Sequence, residues 1–183
     1  MVSDAAFPHH SPLTNTAMSL VQKLSTELTR MIGFSSPTPA TKLFAGPDGV
    51  QLEVDFRAVD SMSCSVAEVR LAVPSLVGAS FDKLQAWGEE FCRRVTYLLE
   101  NMGPLELDPN AGQVLIRSTP PDKQAAGVQF YEVILQSHAN GNFSLRRFRT
   151  DKGRPGRQPV DIVATHEVLK KLVNDLVDSI PGP

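Results

Sequence analysis

Val50-Gln51-Leu52-Glu53-Val54-Asp55-Phe56-Arg57 alternates apolar and polar side chains without a break. Successive side chains of an extended strand point to opposite faces, so this stretch predicts a strand with one face on a core and one in water. Just before it stands Gly46-Pro47-Asp48-Gly49. Proline presets φ and glycine accepts a positive φ, so these four residues read as a turn, with residues 42–45 as the partner strand of a hairpin. Residues 66–73 read as a third strand, with Val69, Leu71 and Val73 inward and Glu68 and Arg70 outward, ended by Pro74. Such a sheet requires a second layer over its apolar face.

Helical patterns supply that layer. Leu20, Val21, Leu24, Leu28, Met31 and Ile32 recur at three-to-four spacing and predict a helix over residues 17–32, with Asn15 or Thr16 as cap and Gly33 as stop. The prolines of Ser35-Ser36-Pro37-Thr38-Pro39 read as a linker. Ser80 caps a helix predicted over residues 81–101, whose Phe81, Leu84, Trp87, Phe91, Val95, Leu98 and Met102 share one stripe before Gly103-Pro104. In the second half, residues 114–117, 128–138, 143–149 and 160–163 read as strands and residues 119–123 as a loop. Asn140-Gly141 is a type I′ hairpin signal. Thr165 caps a last helix with Val168, Leu169, Leu172, Leu176 and Ile180 inward.

The order helix, three strands, helix, three or four strands, helix defines an α+β fold of two layers with a mostly antiparallel sheet. Residues 1–16 are expected to form a flexible N-terminal arm, and residues 17–183 a single domain.

With 42% hydrophobic and 21% charged residues in 183 positions, the composition is that of a globular protein. No apolar run approaches the roughly 18–20 residues that cross a bilayer, and the first residues lack the cationic and apolar regions of a secretory signal. The expectation is a soluble, cytoplasmic protein with no membrane partner. Cys64 and Cys92 stand too far apart for a zinc site and make no disulfide framework. Asn142-Phe143-Ser144 matches the glycosylation pattern, but in a chain with no export signal it reads as chance. Cys92, between buried positions of a helix, reads as a core residue, and His9, His10, His138 and His166 as surface histidines. The chain has no glycine-rich phosphate loop, metalloprotease helix or nucleophile elbow. No catalytic residue, metal ligand or cofactor is assigned, and the leaning is away from an enzyme.

One segment departs from this even chemistry. Arg146, Arg147, Arg149, Lys152, Arg154 and Arg157 face a single anion, Asp151, giving residues 146–157 a charge of +5 and leaving −7 for the rest of a chain whose total is −2. Arginine forks pair with phosphate or carboxylate, so these six are the anion- or partner-binding candidates. Gly153-Arg154-Pro155-Gly156-Arg157 bears a faint likeness to the minor-groove AT-hook. Its Arg-Pro-Gly-Arg order breaks the Arg-Gly-Arg-Pro core, so that function is not carried over. Two bland readings compete: a charged hairpin end that protects a sheet edge, and pairing of the arginines with the acidic body.

A second feature is the strand over residues 128–138, apolar on both sides: Phe130 and Ile134 on one, Tyr131, Val133 and Leu135 on the other. One side therefore requires a cover, from a helix or from a partner. In element order alone, residues 17–180 resemble the type III secretion chaperones, and the basic hairpin and longer second half depart from that pattern. The resemblance implies a small acidic homodimer that binds extended segments of partner proteins. The leading expectation is a non-enzymatic protein-interaction or chaperone-like module, with the partner a protein, itself or another. Anion or nucleic-acid binding through residues 146–157 comes second. A third is an enzyme or small-ligand protein with a pocket between the sheet and the central helix.

Overall fold

The computed structural model describes residues 18–98, 100–124, 127–138 and 142–182. The arm expected over residues 1–16, with His9 and His10, and the Asn140-Gly141 turn lie outside the described residues. In chain order the elements are α1 (Leu20–Arg30), β1 (Phe34–Ala45), β2 (Gln51–Val59), β3 (Ser63–Ala72), α2 (Phe81–Arg94), β4 (Asn101–Asp108), β5 (Gln113–Thr119), β6 (Asp122–Gln124), β7 (Gly127–Gln136), β8 (Phe143–Asp151), β9 (Gln158–Val160), β10 (Ile162–Thr165) and α3 (His166–Asp178). The fold is α+β, and the expected order holds, with a second run of strands longer than three or four.

All described strand pairs are antiparallel, in the order β1-β2-β3-β8-β7-β5-β4. The alternating stretch that opens the chain's logic is β2, with Leu52, Val54 and Phe56 buried. In the turn before it, Gly49 takes φ 76°, as expected of glycine. Mid-sheet, β3 and β8 pair only from Val69↔Leu145 to Leu71↔Phe143 and then diverge. The opening is filled from both sides: β10 pairs with β3, and β9 with β8.

Three boundaries differ from expectation. The proposed linker is the start of β1, where Ser35 pairs with Ala58 and Ala40 with Phe56. Pro37 and Pro39 fall in the bulge between these pairs, where no ladder N–H is required. The first helix is capped by Ser19, whose Oγ accepts from Gln22 N at 3.2 Å while Gln22 Oε1 accepts from Ser19 N at 2.8 Å. The central helix stops at Arg94, well before residue 101. Val95, Thr96 and Tyr97 are weak helix formers, and the segment after them joins β5 as an edge strand, with Met102 opposite Ser118. Val95, Leu98 and Met102 are still buried, so their helical spacing reflects burial without the helix.

The helices cover one face of the sheet. A single apolar cluster joins Leu24, Leu84, Trp87, Phe91, Leu172 and Leu176 to Val54, Val69, Leu71, Val133, Leu135 and Leu145. The Phe143 ring lies 5.2 Å from Phe91 and 6.0 Å from Trp87, centroid to centroid. Gly88 lets α2 lie close on the strands, since a Cβ there would stand 3.1 Å from Leu135 Cδ1 and 3.3 Å from Ile116 Cδ1. Ser80 and Thr165 cap α2 and α3 as expected. No described helix is long and apolar enough to cross a membrane.

Candidate functional site

The pleat of β8 divides the basic segment between the two faces of the sheet. Arg146 stands on the open face, opposite the described helices, where Nη2 donates to Glu68 Oε2 at 2.6 Å. Arg147 stands on the opposite face. Its Nη2 donates to Glu100 Oε1 at 3.2 Å, and its guanidinium lies 4.7 Å from the Tyr131 ring centroid. Arg149 pairs with Asp151 at 2.9 Å. Lys152 and Arg154 are exposed between β8 and β9. Arg157 returns to the open face, where Nη1 pairs with Glu132. Four of the six candidates thus meet carboxylates within the chain, and no continuous basic track forms from them. Only Arg146 and Arg157 are brought together, around a depression lined also by Ser144 and Phe148.

Glu132 is the centre of the open face. Only 2% of it is exposed, in the middle of β7, and its Oε2 accepts from both Arg157 and Arg117, the latter at 3.0 Å. Each arginine also lies over an aromatic ring: Arg117 at 4.6 Å from the Phe130 centroid and Arg157 at 4.3 Å from that of Phe148. The two rings stack on each other, 6.0 Å apart at 29°. A carboxylate, two guanidiniums and two phenyl rings therefore form one assembly on the sheet face opposite the described helices. This resolves the two-sided strand. α2 and the core cover Val133 and Leu135, whereas Phe130 is covered by Arg117 and Phe148 in place of a helix.

Beside this assembly opens a cleft of about 640 Å³, lined by Arg117, Val128, Phe130, Thr150, Gly156 and Arg157 among others. On the other side of Arg157, a depression of about 200 Å³ adds Glu106, Asp108, Leu115 and Ile134. Arg117 was missed from the sequence because it lies outside the basic segment. The signal was its place on β5 opposite Glu132, which needs the register to be seen.

Farther across the same face, Arg70 binds Glu53 Oε2, Asp55 Oδ2 and Glu68 Oε2 at 2.8 to 2.9 Å. Burial acts to raise the Glu68 carboxyl. Hydrogen bonds from Arg146 and Ser144 and the charges of Arg146 and Arg70 outweigh it, and hold the group below its ordinary value. Asp55 is lowered in the same way, burial being overcome by Arg70 and Thr41.

The other residues that the sequence singles out hold structural contacts or stand at the surface. Asn142 is buried, with Oδ1 accepting from Val73 N at 2.7 Å and Nδ2 donating to Gln136 O at 3.2 Å, so the glycosylation pattern falls on a side chain that ties β8 to the end of β3. His138 is exposed, and His166 Nε2 lies 3.2 Å from Ser63 O. Burial pushes the Cys64 and Cys92 thiols up to about 11. The space between α2 and the sheet is filled by Trp87, Gly88 and Phe91 against Val114, Ile116, Leu135 and Phe143. Among the described residues no group of three or more His, Cys, Asp and Glu could hold a metal ion. Compared with protein-family models, curated proteins and solved structures, the chain matches none, so the likeness in element order to the secretion chaperones stands by itself.

Proposed function

We propose that the chain is a non-enzymatic protein-interaction module that receives an extended segment of a partner on the open face of its sheet. The observation that carries this reading is the cleft beside Phe130, an apolar floor with two guanidiniums at its rim on a face that none of the described helices covers. Peptide grooves commonly combine apolar contact with a few fixed polar groups. The division of residues 146–157 between two faces gives less support to the alternative of a polyanion lying along that segment. The filled α2 interface likewise gives little to a ligand buried between helix and sheet.

The test is selection from a random-peptide library on the immobilised full chain, followed by hydrogen exchange with a selected peptide. Protection concentrated on β5, β7 and β8 is expected. Protection elsewhere, or no selectable peptide, overturns the reading. Sedimentation equilibrium on the same sample separates partner binding from self-association, because a dimer that occupies the open face would exclude the peptide.

A further inference from the structure

We infer that the cleft recognises an aspartate or glutamate side chain standing next to an apolar residue in the partner segment. This rests on the protein-interaction reading above and specifies its chemistry.

Charge gives the first argument. Arg117 and Arg157 both bind the single Oε2 of Glu132, so two positive charges share one negative charge at the rim. A guanidinium has five N–H donors, and Glu132 engages one nitrogen of each arginine. The part-exposed guanidiniums of Arg117 and Arg157 are the charged groups of the cleft lining itself, with Glu106 and Asp108 in the depression beyond Arg157, and a carboxylate in the cleft engages their remaining donors.

Preorganisation gives the second. Stacking over Phe130 and Phe148 fixes the plane of each guanidinium, while Glu132 anchors one edge. An incoming carboxylate meets forks already ordered, and less side-chain entropy is lost on binding. The third argument is the floor. Pro121 and Val128, both part-exposed, offer apolar surface beside the charges, so an isolated anion would leave that surface wet, whereas an acidic residue with an apolar neighbour fills both parts.

The test uses the peptide selection on the full chain. The expected result is that selected peptides are enriched in Asp or Glu adjacent to an apolar residue. They should bind Arg157→Gln roughly tenfold more weakly than the parent chain, as loss of a charge-assisted contact implies. Arg154→Gln, an exposed site outside the cleft, should bind as the parent does. Glutamine keeps a donor for Glu132, and thermal unfolding confirms that the variant is folded. Should it not fold, Arg157→Lys keeps the charge, loses the fork, and is expected to show the same weakening. Peptides selected without acidic enrichment, or bound equally by Arg157→Gln, overturn this inference and leave the protein-interaction reading standing. Failure to select any peptide overturns both.

Discussion

Arg146 and Glu68 bond at 2.6 Å one residue beyond the point where the backbone ladder between β3 and β8 ends, at Val69 and Leu145. The ion pair extends the register of the two strands across the opening that β9 and β10 fill. Six hydrogen-bonded groups meet around it: Glu53, Asp55, Glu68, Arg70, Ser144 and Arg146.

This network makes stability depend on acid. The folded value of Glu68 lies below the ordinary 4.5, so its contribution is complete above about that pH and is lost as pH falls through the depressed value. Asp55 acts in the same direction from an ordinary value of 3.8. Glu68→Gln should cost about 1–2 kcal/mol at pH 7, discounted for the half-exposed Arg146, and should flatten the stability profile below pH ~5. Denaturant titrations between pH 3 and 7 on both chains check this. Parallel profiles would remove Glu68 from the account.

A second prediction concerns the joint between α2 and α3. Trp87 Nε1 donates to Ser179 Oγ at 3.0 Å, and Ser179 Oγ donates to Leu176 O at 2.7 Å, all buried. Ser179→Ala leaves the indole N–H without its partner and should cost about 1–3 kcal/mol. Trp87→Ala also opens a cavity and should cost about 3–5 kcal/mol. The double variant should lose less than the sum of the two single losses, because both remove one contact. Chemical denaturation of the four chains measures the coupling.

Glycines at two places should respond unequally. A Cβ on Gly127 would overlap the carbonyl of Thr150 on the neighbouring strand, a backbone atom that cannot rotate away. Gly127→Ala should therefore cost about 3 kcal/mol or more. Gly153 has open space around it and a φ of 78°, so Gly153→Ala should cost only about 1–2 kcal/mol, from backbone strain. Thermal unfolding of the two variants side by side gives the comparison.

The cysteines should be inert in the folded chain. With both thiols pushed up to about 11, thiolate is scarce at pH 8, and Cys64 is also inaccessible. A disulfide-exchange reagent such as Ellman's should react with them slowly in buffer and at once in denaturant. Fast labelling of Cys64 in buffer would contradict its placement against β10.

Much of the fold was legible because its signals are local. The alternation in β2, the turn before it and the caps at Ser80 and Thr165 each depend on residues a few positions apart. The end of α2 was not legible, since Val95, Leu98 and Met102 keep helical spacing while tertiary pairing with β5 draws the chain into β4. At the site, composition pointed to Arg157 but also to Lys152 and Arg154, which have no comparable place in the assembly. Arg117 and Glu132 lay hidden because cross-strand register brings them together, and a single sequence does not display register.

The split between β3 and β8 also sets a schedule for synthesis. β1, β2 and β3 leave the ribosome as a complete meander, but the partners of β3 on its far side, β8 and β10, follow roughly seventy residues or more later. At about 5–20 residues per second, the inner edge of β3 waits for seconds with Val69 and Leu71 uncovered. The nascent chain therefore carries an unpaired strand edge during elongation, and slower translation of the second half should lower the yield of folded protein.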